Sequence, residues 1–567
     1  MSSEIAGRFD AWLDDFFVHL FSRRPVDATF AGVETYNDQM PDVSPQGLQG
    51  CLEEIRALRL AQDKIPRQDL DAFRKIDFDL AKNFLEMQAW ERSSGGAFFN
   101  NPVSYTSEAA FALLSLFLSS TSSMQEKGRC LASRLRQLPG FFASAKENLL
   151  MAPDLWIDRG IEECKGCLAF LESGIPILRA EENLAADDRL VTEAVAAVRD
   201  FSAWMDSSLR RKAGKADRDA LYSCGAEAFS NILRWAHGVD IDPLEYADHA
   251  EKVIEARGAS LAEECEKLGF STPEEGIARL SEDRTTTQEY LGEFQKQWDS
   301  LRELNEKEGL VTWPDFPLEY HMVPRWARAA QPYLYFLNYR CPPRYARPRT
   351  FRYNVAPLDL DMPPERQEAL LKANNRYVIK TNHVLHHGGV GHHVQNWLAL
   401  ESKSRIAQVS CTDGASRLLM LCSGTLCEGW ACYITSVAGA RGFLNPLEEF
   451  AERAGLRRMA ARAVVDARLH CGVFTLEDAI RYYMEKAKMS EAFARSEVVK
   501  NSLFPGGAIM YLLGVEQIER LRQDMETLSK EQGTPFSLKA FHDEFLSYGG
   551  IPVARIAREM KEKKHEQ

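Results

Sequence analysis

The sequence predicts a mainly α-helical protein with one small β-sheet, and three observations carry that prediction. Apolar residues recur at helical spacing along most of the 567 residues. Alternating strand patterns are scarce, and Gly-rich phosphate loops are absent. Ten of the 24 prolines crowd between Pro314 and Pro364, which concentrates irregular structure in one stretch.

In chain order, Ile5, Phe9, Trp12, Leu13, Phe16, Phe17 and Leu20 mark the apolar face of a first helix, which Pro25 ends. Further helical stretches are expected around residues 48–60, 70–92, 124–150 and 191–211. The charged run RRKAGKADRD (210–219) reads as a solvated turn. After residue 311, proline is too dense for a long helix, and alternation at Phe351, Tyr353 and Val355 predicts a short edge strand. Such a segment suits the lining of a cleft. Helical periodicity resumes near Glu365 and continues to Ile551, and the tail REMKEKKHEQ is expected to fray. The sequence thus divides into an N-terminal helical half (1–310), a Pro- and aromatic-rich segment (311–364) and a C-terminal helical half (365–567). The cleft is expected between the two halves.

Lysine and arginine total 69 against 82 acids, a net charge of −13, so the basic footprint of a nucleic-acid binder is missing. No run approaches the roughly 20 apolar residues that span a bilayer. The opening MSSEIAGRFDAW has acids where a secretion signal has a basic patch and an apolar run. A cytoplasmic protein without nucleic-acid or membrane partners is expected. The 12 cysteines are scattered rather than arranged as a disulfide framework. Cys164 and Cys167 form a CxxC in a helical segment, with no second pair for a zinc ribbon, and are expected to be buried.

Five of the 12 histidines fall within eleven residues, His383, His386, His387, His392 and His393, in TNHVLHHGGVGHHVQNW. Imidazole is the commonest protein ligand for divalent transition metals, so this density points to metal binding. Spacing restricts which rings share one ion. His383 and His387 stand at i and i+4, the pairing a regular helix allows. His386 and His392 are about 240° apart on a regular helix and converge only if it breaks, for which Gly388, Gly389 and Gly391 are suited. His386 and His393 share a face but lie about 10 Å apart along an unbroken helix. Two ligand pairs remain open on spacing alone.

The segment LHHGGVGHHVQ resembles the HExxPGHHxQ motif of the domain-of-unknown-function 885 family, mostly helical proteins similar to zinc metallopeptidases. The resemblance extends in order through FDAWLDDFFVHLFSRRPVDATFAGVETYNDQMPDVSPQ, CEGWACY (427–433), RMAARAVVDARLH (458–470) with FTLEDAIRYY, and LFPGGAIMYLLG. It implies a gluzincin-like helical metallopeptidase fold with the small sheet beside the cleft. It also implies zinc on His386, His392 and Glu428, a donor set of two imidazoles and one carboxylate that leaves a position open. Asp466 and Arg462 would stand behind the ligands, and His470 and Tyr511 would hydrogen-bond the reacting oxygen. Tyr353 and Asn354 match the strand that would bind an extended substrate.

The chain departs from the motif at its second position, where the family's glutamate, the general base, is replaced by His387. Val390 replaces the proline before Gly391. Histidine, with an ordinary pKa of about 6.5, can act as a substitute base or as a further ligand, as can the neighbouring His383 and His393 as ligands. The expected function is a metal-dependent hydrolase of a peptide or small amide substrate with atypical machinery. The alternatives are a redox metalloenzyme with iron or copper, since two histidines and a carboxylate also describe non-haem iron sites, and a non-catalytic binding relative.

Overall fold

The computed structural model describes residues 2–93, 96–334, 340–414 and 418–566. They form helices almost throughout, with one two-stranded sheet, in agreement with the fold class read from periodicity. The chain makes two compact units, each assembled from three stretches: Met1–Tyr222, Val323–Pro348 and Lys403–Met420, and Ser223–Met322, Arg349–Ser402 and Leu421–Gln567. These boundaries run elsewhere than the consecutive segments 1–310, 311–364 and 365–567. The strands Leu318–Met322 and Phe351–Val355 pair in parallel, and parallel strands cannot be joined by a tight turn. The proline-rich stretch is therefore divided, its strands in the second unit and the connection in the first.

In the first unit, the Ser2–Arg23 helix buries the face read from the sequence, from Phe9 through Leu20. The main core lies among the helices Val103–Leu118, Met124–Asn148, Asp154–Ala169 and Asp188–Ser207, where Phe142 stacks on Phe201 at 4.5 Å. Cys164 and Cys167, one turn apart, belong to this core. The 210–219 run is not simply solvated. Its short helical turns bring buried Arg218 to 3.0 Å from Asp154, the first residue of a helix, while Arg210 reaches Asp158 at 2.6 Å.

In the second unit, the Pro446–His470 helix runs along the Pro243–Lys267 helix, and Phe450 meets Leu261 and Cys265 between them. The Tyr290–Glu308 helix packs against residues 379–386. Strand Phe351–Val355 is the one predicted by alternation, and its partner sets Tyr320 opposite Tyr353. The C-terminal tail does not fray but forms the helix Val553–Glu566. Met560 is buried there, and Lys561 and Lys563 pair with Asp524 and Glu544 at 2.5 and 2.6 Å. Those partners come from two other helices, which a charge run by itself does not disclose. Among the described residues, no helix is long and apolar enough to cross a membrane.

Candidate metal centre

The site is built on a broken helix within the second unit. Asn375 caps its start by accepting from the Val378 amide at 3.0 Å. The turns that follow are wide, with the His387 amide bonded to the Asn382 carbonyl, five residues back, at 3.0 Å. The helix then breaks at Gly388–Gly391. Gly389 has φ +23°, and Gly391 has φ −79°, ψ −127°. A Cβ at Gly391 would lie 1.9 Å from the His386 carbonyl oxygen, so the close return of the chain admits no side chain there. Trp430 secures the break from the Leu418–Ala438 helix, its indole N–H donating to the Val390 carbonyl at 2.9 Å.

The break removes the angular separation that keeps His386 and His392 apart on a regular helix. Their rings lie 4.9 Å apart, near perpendicular. Glu428, from the same helix as Trp430, places Oε2 3.4 Å from His386 Nε2 and 3.8 Å from His392 Nε2. Ligand atoms bound to one tetrahedral ion at about 2.1 Å stand about 3.4 Å apart, so these three donors fit a divalent metal with little movement. His387 lies beside the two rings: one nitrogen from each of His386, His387 and His392 lies within 4.8 Å of the others. The arrangement offers two overlapping donor sets, His386 and His392 with Glu428, and the same two rings with His387.

The electrostatics suit ligation. Burial lowers the His392 pKa to about 4 against the pull of Glu428, and burial followed by His386 and His392 takes His387 well below the ordinary value. Both rings are therefore neutral near pH 7 and offer lone pairs. Burial pushes the Glu428 carboxyl up, but the His386 hydrogen bond and the surrounding imidazoles outweigh it and hold the group below the usual carboxylate range.

Other residues expected at the site serve elsewhere. His383 faces Tyr353, whose hydroxyl is 2.7 Å from Nδ1, while Nε2 is 3.3 Å from Asn374 Oδ1. His393 turns to the Phe316 carbonyl at 2.7 Å and stacks on the Phe316 ring. Neither joins the ligand cluster, because both rings are held by residues remote in sequence. The Tyr353 hydroxyl thus supports His383, and Asn354 pairs in register with His321. His470 is bonded through Nε2 to the Asn501 carbonyl at 3.1 Å and stacked on Phe229. Asp466 accepts the amides of Gly506, Ala508 and Ile509 at 3.3, 2.9 and 2.8 Å. It shapes the turn before the Met510–Glu531 helix and does not orient a ligand imidazole.

That turn delivers Tyr511. The helix carrying it crosses the Glu428 helix at Gly429 and Gly514, where a Cβ on Gly429 would come within 2.6 Å of Gly514 backbone. The Arg462 guanidinium lies 4.9 Å from the Tyr511 ring centre and is itself held by Glu497 at 2.6 and 2.8 Å. Burial, then the Glu428 charge, raises the Tyr511 pKa well above 10, so its hydroxyl stays a donor. Sequence reasoning missed Glu452 and Tyr377. The Tyr377 hydroxyl donates to Glu452 at 2.7 Å, and burial raises the carboxyl pKa against the His386 imidazole and its other partners. The available signal was a polar stripe, Glu448, Glu452, Arg462 and Asp466, on one face of a packed helix.

No curated protein matches this sequence. Among solved structures, a candidate lipoprotein of unknown function from Shewanella oneidensis matches with a TM-score of 0.77 at 21% identity, over 98% of this chain and 99% of that one. A candidate lipoprotein from Colwellia psychrerythraea matches with a TM-score of 0.74 at 17% identity, over 100% and 99%. At these identities the likeness establishes a shared fold. The family described as bacterial protein of unknown function (DUF885) matches residues 25–560, nearly the whole sequence, and the chain belongs to that family.

Proposed function

We propose that the protein is a metal-dependent hydrolase, with zinc on His386, His392 and Glu428, acting on a peptide or small amide bond in the manner of gluzincin-type metallopeptidases. The observation that supports this most is the meeting of two imidazoles and one carboxylate across the glycine break, within 3.4 and 3.8 Å. Zinc at such a donor set supplies Lewis acidity that polarises a carbonyl and brings the pKa of water to about 7. His387, beside the ligand rings, accepts the proton from the attacking water in place of the glutamate expected at this position. Tyr511 donates to the oxygen on which charge develops, steadied by Arg462 against its ring. The chemistry is expected to be slow and selective, since a repositioned base typically costs about 10²–10⁴-fold in rate.

A second reading is favoured by one observation, the inclusion of His387 in the cluster. Three clustered imidazoles suit iron or copper redox chemistry, which needs no base for water. Elemental analysis of the protein with His386→Ala and His387→Ala decides between them. About one zinc per chain, lost in the first variant and kept in the second, is the hydrolase outcome. Iron or copper, or metal lost in both variants, favours the redox enzyme, and no metal under any loading leaves a non-catalytic binding protein. We propose a cytoplasmic setting on the scattered, unpaired cysteines. A membrane-anchored setting, suggested by the descriptions of the two fold neighbours, would appear as membrane-bound protein on cell fractionation.

A further inference from the structure

The last three helices of the second unit enclose a cavity away from the residues of the metal centre. Met510–Glu531, Leu538–Ser547 and Val553–Glu566 surround it, and the loop residues Pro535 and Phe536 complete its lining. The Gln532 side chain donates to the Lys564 carbonyl at 3.1 Å and ties the final helix to the end of the first. The cavity measures about 170 Å³. An apolar cavity of about 150 Å³ holds one benzene molecule, whereas drug-sized ligands need about 300 Å³ or more. The space therefore suits a single ring.

Its walls have the composition that receives one. Met525, Met560 and Phe541 are buried, and the Phe536 ring stands 6.0 Å from that of Phe541. Thioethers and ring edges pack favourably against an aromatic guest.

Two polar groups interrupt this apolar lining. Ser529 is only 6% exposed, and among the described residues its hydroxyl makes no hydrogen bond. A buried hydroxyl ordinarily has a partner, and the cavity it lines is where this one finds room for it. The charged lining consists of Lys563, Lys564 and Glu544. Glu544 neutralises Lys563 at 2.6 Å, while Lys564 has no ion-pair partner among the described residues. One uncompensated positive charge thus stands at an apolar cavity, beside a hydroxyl able to donate.

We propose that this cavity binds a small aromatic carboxylate, with the ring among Met525, Met560, Phe536 and Phe541 and the carboxylate on Lys564 and the Ser529 hydroxyl. A charge-assisted bond to the ammonium favours the acid over a neutral analogue of the same shape. None of these residues belongs to the imidazole–carboxylate cluster, so the site is independent of the hydrolase reading.

The full-length protein, with isotope-labelled methionine methyl groups, would be titrated with hydrocinnamate, hydrocinnamide and hexanoate. Met525→Leu and Met560→Leu assign the two cavity signals, and the other methionines report that each variant is folded. Hydrocinnamate is expected to shift the Met525 and Met560 signals through its ring current and to bind at least about 10-fold more tightly than the amide. Lys564→Gln should erase that difference, and Ser529→Ala should weaken the acid by about 3- to 10-fold. Unmoved Met525 and Met560 signals, or equal binding of acid and amide, would overturn the proposal. So would a preference that survives in Lys564→Gln, or hexanoate binding as tightly as hydrocinnamate.

Discussion

Replacing Gly391 with alanine is expected to weaken metal binding strongly before it unfolds the protein. The new Cβ would lie 1.9 Å from the His386 carbonyl oxygen and 2.5 Å from that of Leu385. A comfortable carbon–oxygen contact is about 3.3 Å, so the chain must open by about 1.4 Å at the residue that carries a ligand. Metal–ligand geometry tolerates about 0.2 Å. The displacement is several times larger and falls between His386 and His392, so zinc affinity should drop by about 100-fold or more. The stability cost should be about 2–3 kcal/mol, because the obstructing atoms are backbone and cannot rotate away. Gly442→Ala is the matched control. Gly442 has φ +88° with no atom within 4 Å of its Cβ position, so alanine there costs about 1–2 kcal/mol of backbone strain and should leave the metal in place. Zinc titration against a chromogenic chelator, with urea melts of both variants, measures the two effects separately. Wild-type zinc affinity in Gly391→Ala would refute the claim that the break brings the ligands together.

Glu428→Gln keeps the shape but removes the charge, and zinc affinity should fall by about 100-fold with little change in urea midpoint. Trp430→Phe leaves the buried Val390 carbonyl without its donor, which should cost about 1–3 kcal/mol in a urea melt and weaken zinc by about 10-fold. Tyr511→Phe should lower kcat about 10- to 100-fold with KM nearly unchanged, if a hydrolysed substrate is found by screening. Stability should fall as pH drops from about 6.5 through about 4. His542, His237 and His470 are buried with pKa lowered to about 4, so over that window the unfolded chain binds protons that the native state refuses. Each such ring contributes a slope of about 1.4 kcal/mol per pH unit, and His542→Gln should remove one such contribution from urea melts run between pH 7 and pH 4.

Much of the candidate site was legible locally. Helical geometry requires a break for His386 and His392 to meet, and Gly388, Gly389 and Gly391 are the residues that permit one. The strand at Phe351–Val355 was legible for the same kind of reason, because its alternation is a property of consecutive residues. Its partner LEYHM was not, since a parallel pair is specified by residues far away along the chain. The tail shows the same limit: REMKEKKHEQ is a solvated run until Asp524 and Glu544 are brought beside it.

The histidines divide along that line. Composition and spacing by themselves determined that the protein is mainly helical, that five histidines cluster at residues 383–393, and that His386 and His392 meet only if the helix breaks. Only the tertiary structure decided which rings share the site. Phe316, Asn374 and Tyr353 take His393 and His383, while Glu428 and Trp430 arrive from another helix to complete and secure the remainder. The tertiary structure also decided that Asp466 shapes a turn. The physical reason is range: periodicity and glycine strain act within a few residues, whereas the partner of a buried polar group is selected by whichever distant segment packs against it.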